Sequence, residues 1–198
     1  MKTLLFATNN KHKLEEMRAI AGKNIHILSL NDVGFEGDIP ETSSSIAGNA
    51  IQKAQYLFER LGIAVFADDT GLEVEALDGA PGVHSARYAS ENATYEENVR
   101  KLLKALEGKN NRSARFVTVI ALISSDGMQV FEGVVNGHIL QEAKGQGGFG
   151  YDPVFVPKGH KLTYAEMDAA QKNLISHRAL ATHKLIEHLK TQNQPQTD

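Results

Sequence analysis

Apolar positions along the chain recur with two periods, and the changes between them outline the fold. Residues 2–7 turn apolar after a polar start and read as a strand. Residues 13–21 set Leu14, Met17 and Ile20 with Ala21 on one side of a helix. Strand, polar loop, helix is the opening of an α/β unit. A second short strand is expected over 25–28. The stretch 31–45, with Gly34, Gly37 and Pro40 among polar residues, reads as a loop. Over 45–61 the apolar residues Ile46, Ala50, Ala54, Leu57, Phe58 and Leu61 share one arc at about 100° per residue, and Gly62 ends the helix. Residues 64–67 form a short run of the buried-strand kind, after which Asp68-Asp69-Thr70-Gly71 break the apolar pattern. An extended pattern resumes over 72–77, and 79–82 is a turn.

A third helix is expected over 94–106, with Val99, Leu102, Leu103 and Leu106 inward. Residues 115–124 and 128–138 are long strands joined at Ser125-Asp126-Gly127, and Asp-Gly between two such runs is a strong hairpin signal. A glycine-rich loop at 145–157 enters a short apolar segment. The last helix covers 176–190, and 191–198 is a polar tail expected to fray. With no repeat or linker, residues 1–198 read as a single mixed α/β domain whose sheet is not all parallel.

Length and charge narrow the classes of function. At 198 residues the chain matches one domain of ~150 residues or slightly more, and a chain this size hides roughly 70% of its extended surface. Twenty-one basic against 24 acidic residues give a net charge of -3, without the basic face that duplex binding needs. The absence of cysteine excludes disulfides, thiol catalysis and cysteine-ligated metals. No apolar run approaches the ~20 residues of a membrane span, and the apolar stretch near the N-terminus is too short for a signal sequence. A soluble cytoplasmic protein, without nucleic-acid or membrane partners, is the expectation.

Five constellations could carry chemistry. Thr8-Asn9-Asn10-Lys11-His12-Lys13 stands where a strand passes into a helix. Free helical N–H groups and two lysines there form an anion cradle, or simply a capped and solvated helix end. Asp68-Asp69 follow a buried strand, and two adjacent carboxylates in a dry site need a cation or donors. Magnesium suits such an oxygen-rich set, with Glu41 as a further ligand, although a turn capped by aspartates would look the same. On the helix at 45–61, Lys53 and Asn49 lie about 20° and 60° from Ile46, beside the apolar arc, so Lys53 needs an anionic partner or snorkels to water.

Gly145-Gln-Gly147-Gly148-Phe149-Gly150 fits the dinucleotide-binding glycine pattern in letters only, since Tyr151-Asp152-Pro153 cannot open a helix. Its glycines suit a loop that approaches a flat ligand, with Phe149 as a stacking face, or a flexible turn. In Lys172-Asn173-Leu174-Ile175-Ser176-His177-Arg178, Ser176 is a suitable N-cap. It leaves His177 and Arg178 in the first helical turn with donors outward, against the helix dipole unless a ligand acceptor is present. His183 and His188 fit no metal motif and are assigned to the surface.

T-x-N-x-x-K at 8–13, ADDTGL at 67–72, GAPGVHSARY at 79–88, GGFGYDPVF at 147–155 and KNLISHR at 172–178 occur in that order. Together they resemble the noncanonical purine nucleoside triphosphate pyrophosphatases, also called inosine triphosphate or dITP/XTP pyrophosphatases. The resemblance implies an elongated mixed sheet flanked by helices, in two lobes with a central cleft, and a magnesium-dependent homodimer. Such an enzyme hydrolyses ITP, dITP and XTP to the monophosphate and pyrophosphate. It also implies that Thr8, Asn9, Asn10, Lys11, His12, Lys13 and Lys53 hold the triphosphate and that Glu41 and Asp69 hold magnesium. Asp69 would be the general base, with Asp68 assisting. Thr70, Phe149, Gly150, Tyr151, Asp152, Lys172, His177 and Arg178 would hold the nucleoside, the last two pairing with a 6-oxo group that adenine lacks. The chain departs from the family pattern at Asn9 and His12, where glycine is frequent, at Thr70 for serine, and at Gln171 for glutamate.

Overall fold

Strand β1 (Lys2–Phe6) pairs in parallel with β2 (Ile25–Leu28) on one side and with β3 (Val65–Val74) on the other, in registers that include Leu4↔Ile27 and Phe6↔Phe66. Parallel neighbours need crossovers, and helices α1 (Lys11–Ala21) and α2 (Ile46–Leu61) supply them. The computed structural model describes residues 2–192. Of the tail expected to fray, Thr191 still belongs to the last helix, and 193–198 lie outside the described residues. The sheet continues through β5 (Ser113–Ser124), β6 (Gly127–Ile139) and β7 (Phe155–Pro157) in the order β2-β1-β3-β5-β6-β7, with β4 (Pro81–Gly82) also on β3. The β5–β6 hairpin and the antiparallel β6–β7 pair make the sheet mixed, as expected.

The chain divides into two compact units. The first comprises Met1–Asp69, Thr118–Gly133 and Arg178–Asp198; the second comprises Thr70–Val117 and Val134–His177. Strands β3, β5 and β6 each contribute residues to both. In the first unit Leu4, Phe6, Met17, Ile27, Phe66, Ile120, Leu122, Leu185 and Ile186 form the core. The Phe6 and Phe66 rings stack at 4.6 Å. Each such side chain contributes about 1.5–3 kcal/mol on full burial. The second unit packs Leu72, Val99, Leu102, Leu106, Ile139 and Phe155 around Phe116, whose ring meets that of Phe155 edge-on at 4.7 Å.

Four local readings change. Helix α1 begins two residues early, because the Asn10 side chain caps it by accepting from the Lys13 N–H at 3.1 Å; Lys11 and His12 are exposed and carry no apolar signal. The Asp68-Asp69-Thr70-Gly71 segment does not interrupt the strand: β3 runs unbroken through it, both aspartates buried. The buried face of α2 includes Asn49 and Lys53, while Phe58 and Leu61 are only half-buried. Helix α4 (Ala169–Ile175) was not foreseen, although Asp168 and Gln171 form a capping box in which the Gln171 N–H donates to Asp168 at 2.7 Å. Helices α3 (Tyr95–Ala105) and α5 (His177–Thr191) fall where expected.

Candidate active site

The first unit gathers the charged residues. Lys13, on the first turn of α1, reaches β3 and donates to Asp68 Oδ1 at 3.1 Å. Arg178, on the first turn of α5, donates from Nε and from Nη2 to Asp68 Oδ2, each at 3.1 Å, and from Nη1 to Glu16 Oε2 at 2.5 Å. Both Asp68 oxygens thus lie on cations, a half-buried lysine and a buried arginine. Lys53, only 4% exposed, donates to Glu41 and stands 3.9 Å from Asp69 Oδ1. Asn49 donates to Asp69 Oδ2 at 3.3 Å and accepts the Ser43 N–H at 2.9 Å. Thr42 and Gln52 exchange two 2.8 Å hydrogen bonds, which fix the loop beside Glu41.

Adjacent in sequence, the two aspartates differ in electrostatics. Burial alone would raise the pKa of Asp68, but Lys13, Arg178 and Lys53 hold it well below the usual carboxylate range. Asp69 is shifted upward, first by burial; Lys53 and Lys13 oppose the shift, and Glu41 and Asp68 add to it. Lys13 is lowered by burial, with Asp68 acting against that and Lys53 and Arg178 reinforcing it. For Arg178 burial favours the neutral form, yet Asp68 and Glu16 keep the guanidinium charged, with its pKa raised. The cluster as a whole sets Glu16, Glu41, Asp68 and Asp69 against Lys13, Lys53 and Arg178, one negative charge in excess, and that excess sits where Glu41 and Asp69 share Lys53.

A divalent cation fits that arrangement. Among the described residues no three histidine, aspartate or glutamate side chains form a ready cage. Glu41 and Asp69, which share Lys53, are instead a pair that magnesium can use when other oxygens complete its shell.

The second unit gathers aromatic and polar residues. Asp152, 3% exposed, accepts from Lys172 Nζ at 2.6 Å and from the Phe149 N–H at 2.8 Å. The same ammonium lies 5.0 Å from the Phe149 ring centroid and 5.6 Å from that of Tyr164. Tyr151 donates to the Ser85 carbonyl at 2.9 Å. His177 stacks on Phe116 at 4.5 Å. Gly148 has a left-handed φ of 67°, and a Cβ there would overlap the Asp152 carboxylate. Gly148→Ala is therefore expected to displace Asp152 from Lys172 and Phe149 and to raise several-fold the KM of a substrate held by this loop. Steady-state kinetics would check this, and an unchanged KM would separate this loop from substrate.

Several expectations change at this level. His177 and Arg178 do not point outward: both are buried, the first among aromatic rings and the second between carboxylates. Lys53 does not snorkel, because Glu41 and Asp69 supply its anionic partners. Among the described residues Asp78 alone, apart from glycines, has a positive φ, so Asn9 and His12 stand at positions that need no glycine. Gln171 caps α4, and Lys172 finds its partner in Asp152. His188 is half-buried against Phe131 at 5.4 Å, while His183 is exposed. Thr70 is half-buried on β3, Thr8 accepts from the Asn10 N–H at 3.1 Å, and the exposed Asn9 side chain donates to the Gly37 carbonyl at 3.5 Å. Sequence reasoning missed Glu16, which meets Arg178. For Glu16 the signal was its place as the second of two adjacent acids, three residues and most of a turn past Lys13 on the same helix face.

A family model described as the Ham1 family matches residues 4–188. A dITP/XTP pyrophosphatase of Porphyromonas gingivalis is 55% identical over 190 residues, covering 96% of this chain and 98% of that protein. The structure of the Staphylococcus aureus Ham1 protein superposes with a TM-score of 0.88 at 38% identity, covering 96% of this chain and all of that one. A HAM1 protein from Coxiella burnetii gives the same TM-score at 40% identity, again over 96% of this chain and all of that one. With a family model over most of its length, a relative at 55% identity and two solved structures of the same fold, the chain belongs to the Ham1 family.

Proposed function

We propose that this protein hydrolyses ITP, dITP and XTP to the monophosphate and pyrophosphate, with magnesium, and so removes these nucleotides from the pool. The observation that carries the reading is the asymmetry of the aspartate pair. Asp68 is neutralised on both oxygens by Lys13 and Arg178, whereas Asp69 shares one lysine with Glu41. Asp68 is therefore committed to holding Lys13 and Arg178 in place, and Asp69, beside Glu41 and shifted upward in pKa, is the carboxylate suited to act. Magnesium on Glu41 and Asp69 would offset charge on the leaving pyrophosphate. Lys13 and Lys53, with the donors of the Thr8–Lys13 segment, bind the triphosphate. Asp69 orients a water towards the α phosphorus and takes its proton, a role its upward-shifted pKa favours.

In the second unit Phe149 offers its ring to the purine. Thr70, Gly150, Tyr151, Asp152 and Lys172 hold the nucleoside edge, and His177 meets the 6-oxo group. Adenine would set an amino donor against this donor, a mismatch worth several kcal/mol (about 1–3 per buried unsatisfied group). His177→Ala is expected to erode the preference for ITP over ATP, read as the ratio of kcat/KM values; an unchanged ratio would place base reading elsewhere.

No helix among the described residues is long and apolar enough to cross a membrane. We place the enzyme in the cytoplasm as a homodimer that acts on free nucleotides, not on nucleic acid. Pyrophosphate release from a panel of nucleoside triphosphates tests the reading: ITP, dITP and XTP should be cleaved far faster than ATP, CTP or UTP. Equal cleavage of ordinary nucleotides would overturn it.

A further inference from the structure

Phe149 is set in a loop poorly suited to holding a side chain still. Glycines stand at 145, 147, 148 and 150, and three of them, Gly145, Gly148 and Gly150, have positive φ. A stacking face must nonetheless be fixed before the base arrives, or binding spends free energy on ordering it. On one side Asp152 takes the Phe149 N–H at 2.8 Å and Lys172 stands 5.0 Å from the ring. A third contact comes from outside the motif: the Tyr95 ring lies 5.9 Å from that of Phe149, tilted by 43°. Such spacing and tilt are those of a favourable aromatic pair.

Tyr95 is itself well held. It is the first residue of α3, directly after the Thr94 N-cap, whose side chain accepts the Glu97 N–H at 3.2 Å while Glu97 accepts the Thr94 N–H at 2.7 Å. This capping box fixes the backbone from which the ring projects. Although 37% of Tyr95 is exposed, its ring is not spent on the core around Phe116. An exposed aromatic on a rigid helix start, packed on a ring in a glycine-rich loop, has little to give to folding and much to give to the placement of that loop.

We propose that Tyr95 is a positioning residue for base recognition, acting through Phe149 to present a preordered face to the purine. This rests on the assignment of Phe149 to the base. Loss of the Tyr95 ring raises KM for ITP, dITP and XTP together and leaves kcat unchanged, because the groups around Asp69 are not touched.

The test compares Tyr95→Ala, Tyr95→Phe, Phe149→Ala and the double variant Tyr95→Ala/Phe149→Ala in steady-state ITP hydrolysis, each with its melting temperature. Tyr95→Ala should raise KM roughly fivefold, the size expected of one aromatic pair. Tyr95→Phe, which keeps the ring, should behave as wild type. The Tyr95→Ala effect should vanish when Phe149 is already alanine, since the two act as one unit. If Phe149→Ala raises KM but Tyr95→Ala does not, or if the two effects simply add, the role of Tyr95 is overturned while that of Phe149 stands. If Phe149→Ala leaves KM unchanged, the base assignment itself fails. A fall in kcat for Tyr95→Ala, or a KM rise matched only by a lower melting temperature and not rescued by phenylalanine, also contradicts the proposal.

Discussion

Asp69→Asn should lower kcat for ITP by about a thousandfold or more while the protein remains folded. A positioned base contributes 10²–10⁴-fold, and the same substitution removes one of two carboxylates assigned to the cation. The stability side has a definite sign. Burial, with Glu41 and Asp68 adding to it, raises the pKa of Asp69, so its charged form is disfavoured in the folded state. A neutral isostere relieves that cost and can still meet Asn49. The melting temperature should therefore stay level or rise. Calorimetry beside a pyrophosphate-release assay checks both halves; near-wild-type turnover would refute the role given to Asp69.

Its neighbour should behave in the opposite way. Asp68→Ala leaves Arg178, 1% exposed, and Lys13 without their shared counter-charge. Breaking a buried ion pair on one side costs about 3–5 kcal/mol, which for a chain of this size lowers the melting temperature on the order of 10 °C. The pH dependence has the matching sign. Because the folded-state pKa of Asp68 lies below its unfolded value, its contribution is fully present above the ordinary carboxylate range. That contribution is lost only as pH falls towards the depressed value. Thermal melts of both proteins between neutral and acid pH would show the gap closing only at strongly acid pH. Equal melting temperatures at neutral pH would contradict the locked role of Asp68.

Much of the fold is written in local periodicity. The core faces of α2 and α3, the β5–β6 hairpin and the parallel start of the sheet follow from apolar spacing and turn chemistry. The errors cluster where ions are buried. Asp68 and Asp69 look like a strand's end because a charge pattern ordinarily means solvent. Here they stay in β3 because Lys13, Lys53 and Arg178 come from α1, α2 and α5 to meet them. The Arg178–Asp68 pair spans 110 positions and the Arg178–Glu16 pair 162, separations over which periodicity says nothing. Which residue types would matter was legible from the motifs; which cation would take which carboxylate was not. Helix α4 escaped notice for another reason: seven residues give too short a window for a 3.6-residue period, and only its capping box marked it.

In the proposed reaction the first unit's carboxylates and cations cleave the bond between the α and β phosphates with the help of a divalent cation. Phosphorus NMR of ITP incubated with the protein, with magnesium and after its removal by chelation, addresses it most directly. IMP and pyrophosphate are expected in equal amounts with magnesium, and unchanged ITP without it. Formation of IDP and inorganic phosphate, or binding of ITP with magnesium but no cleavage, would contradict it.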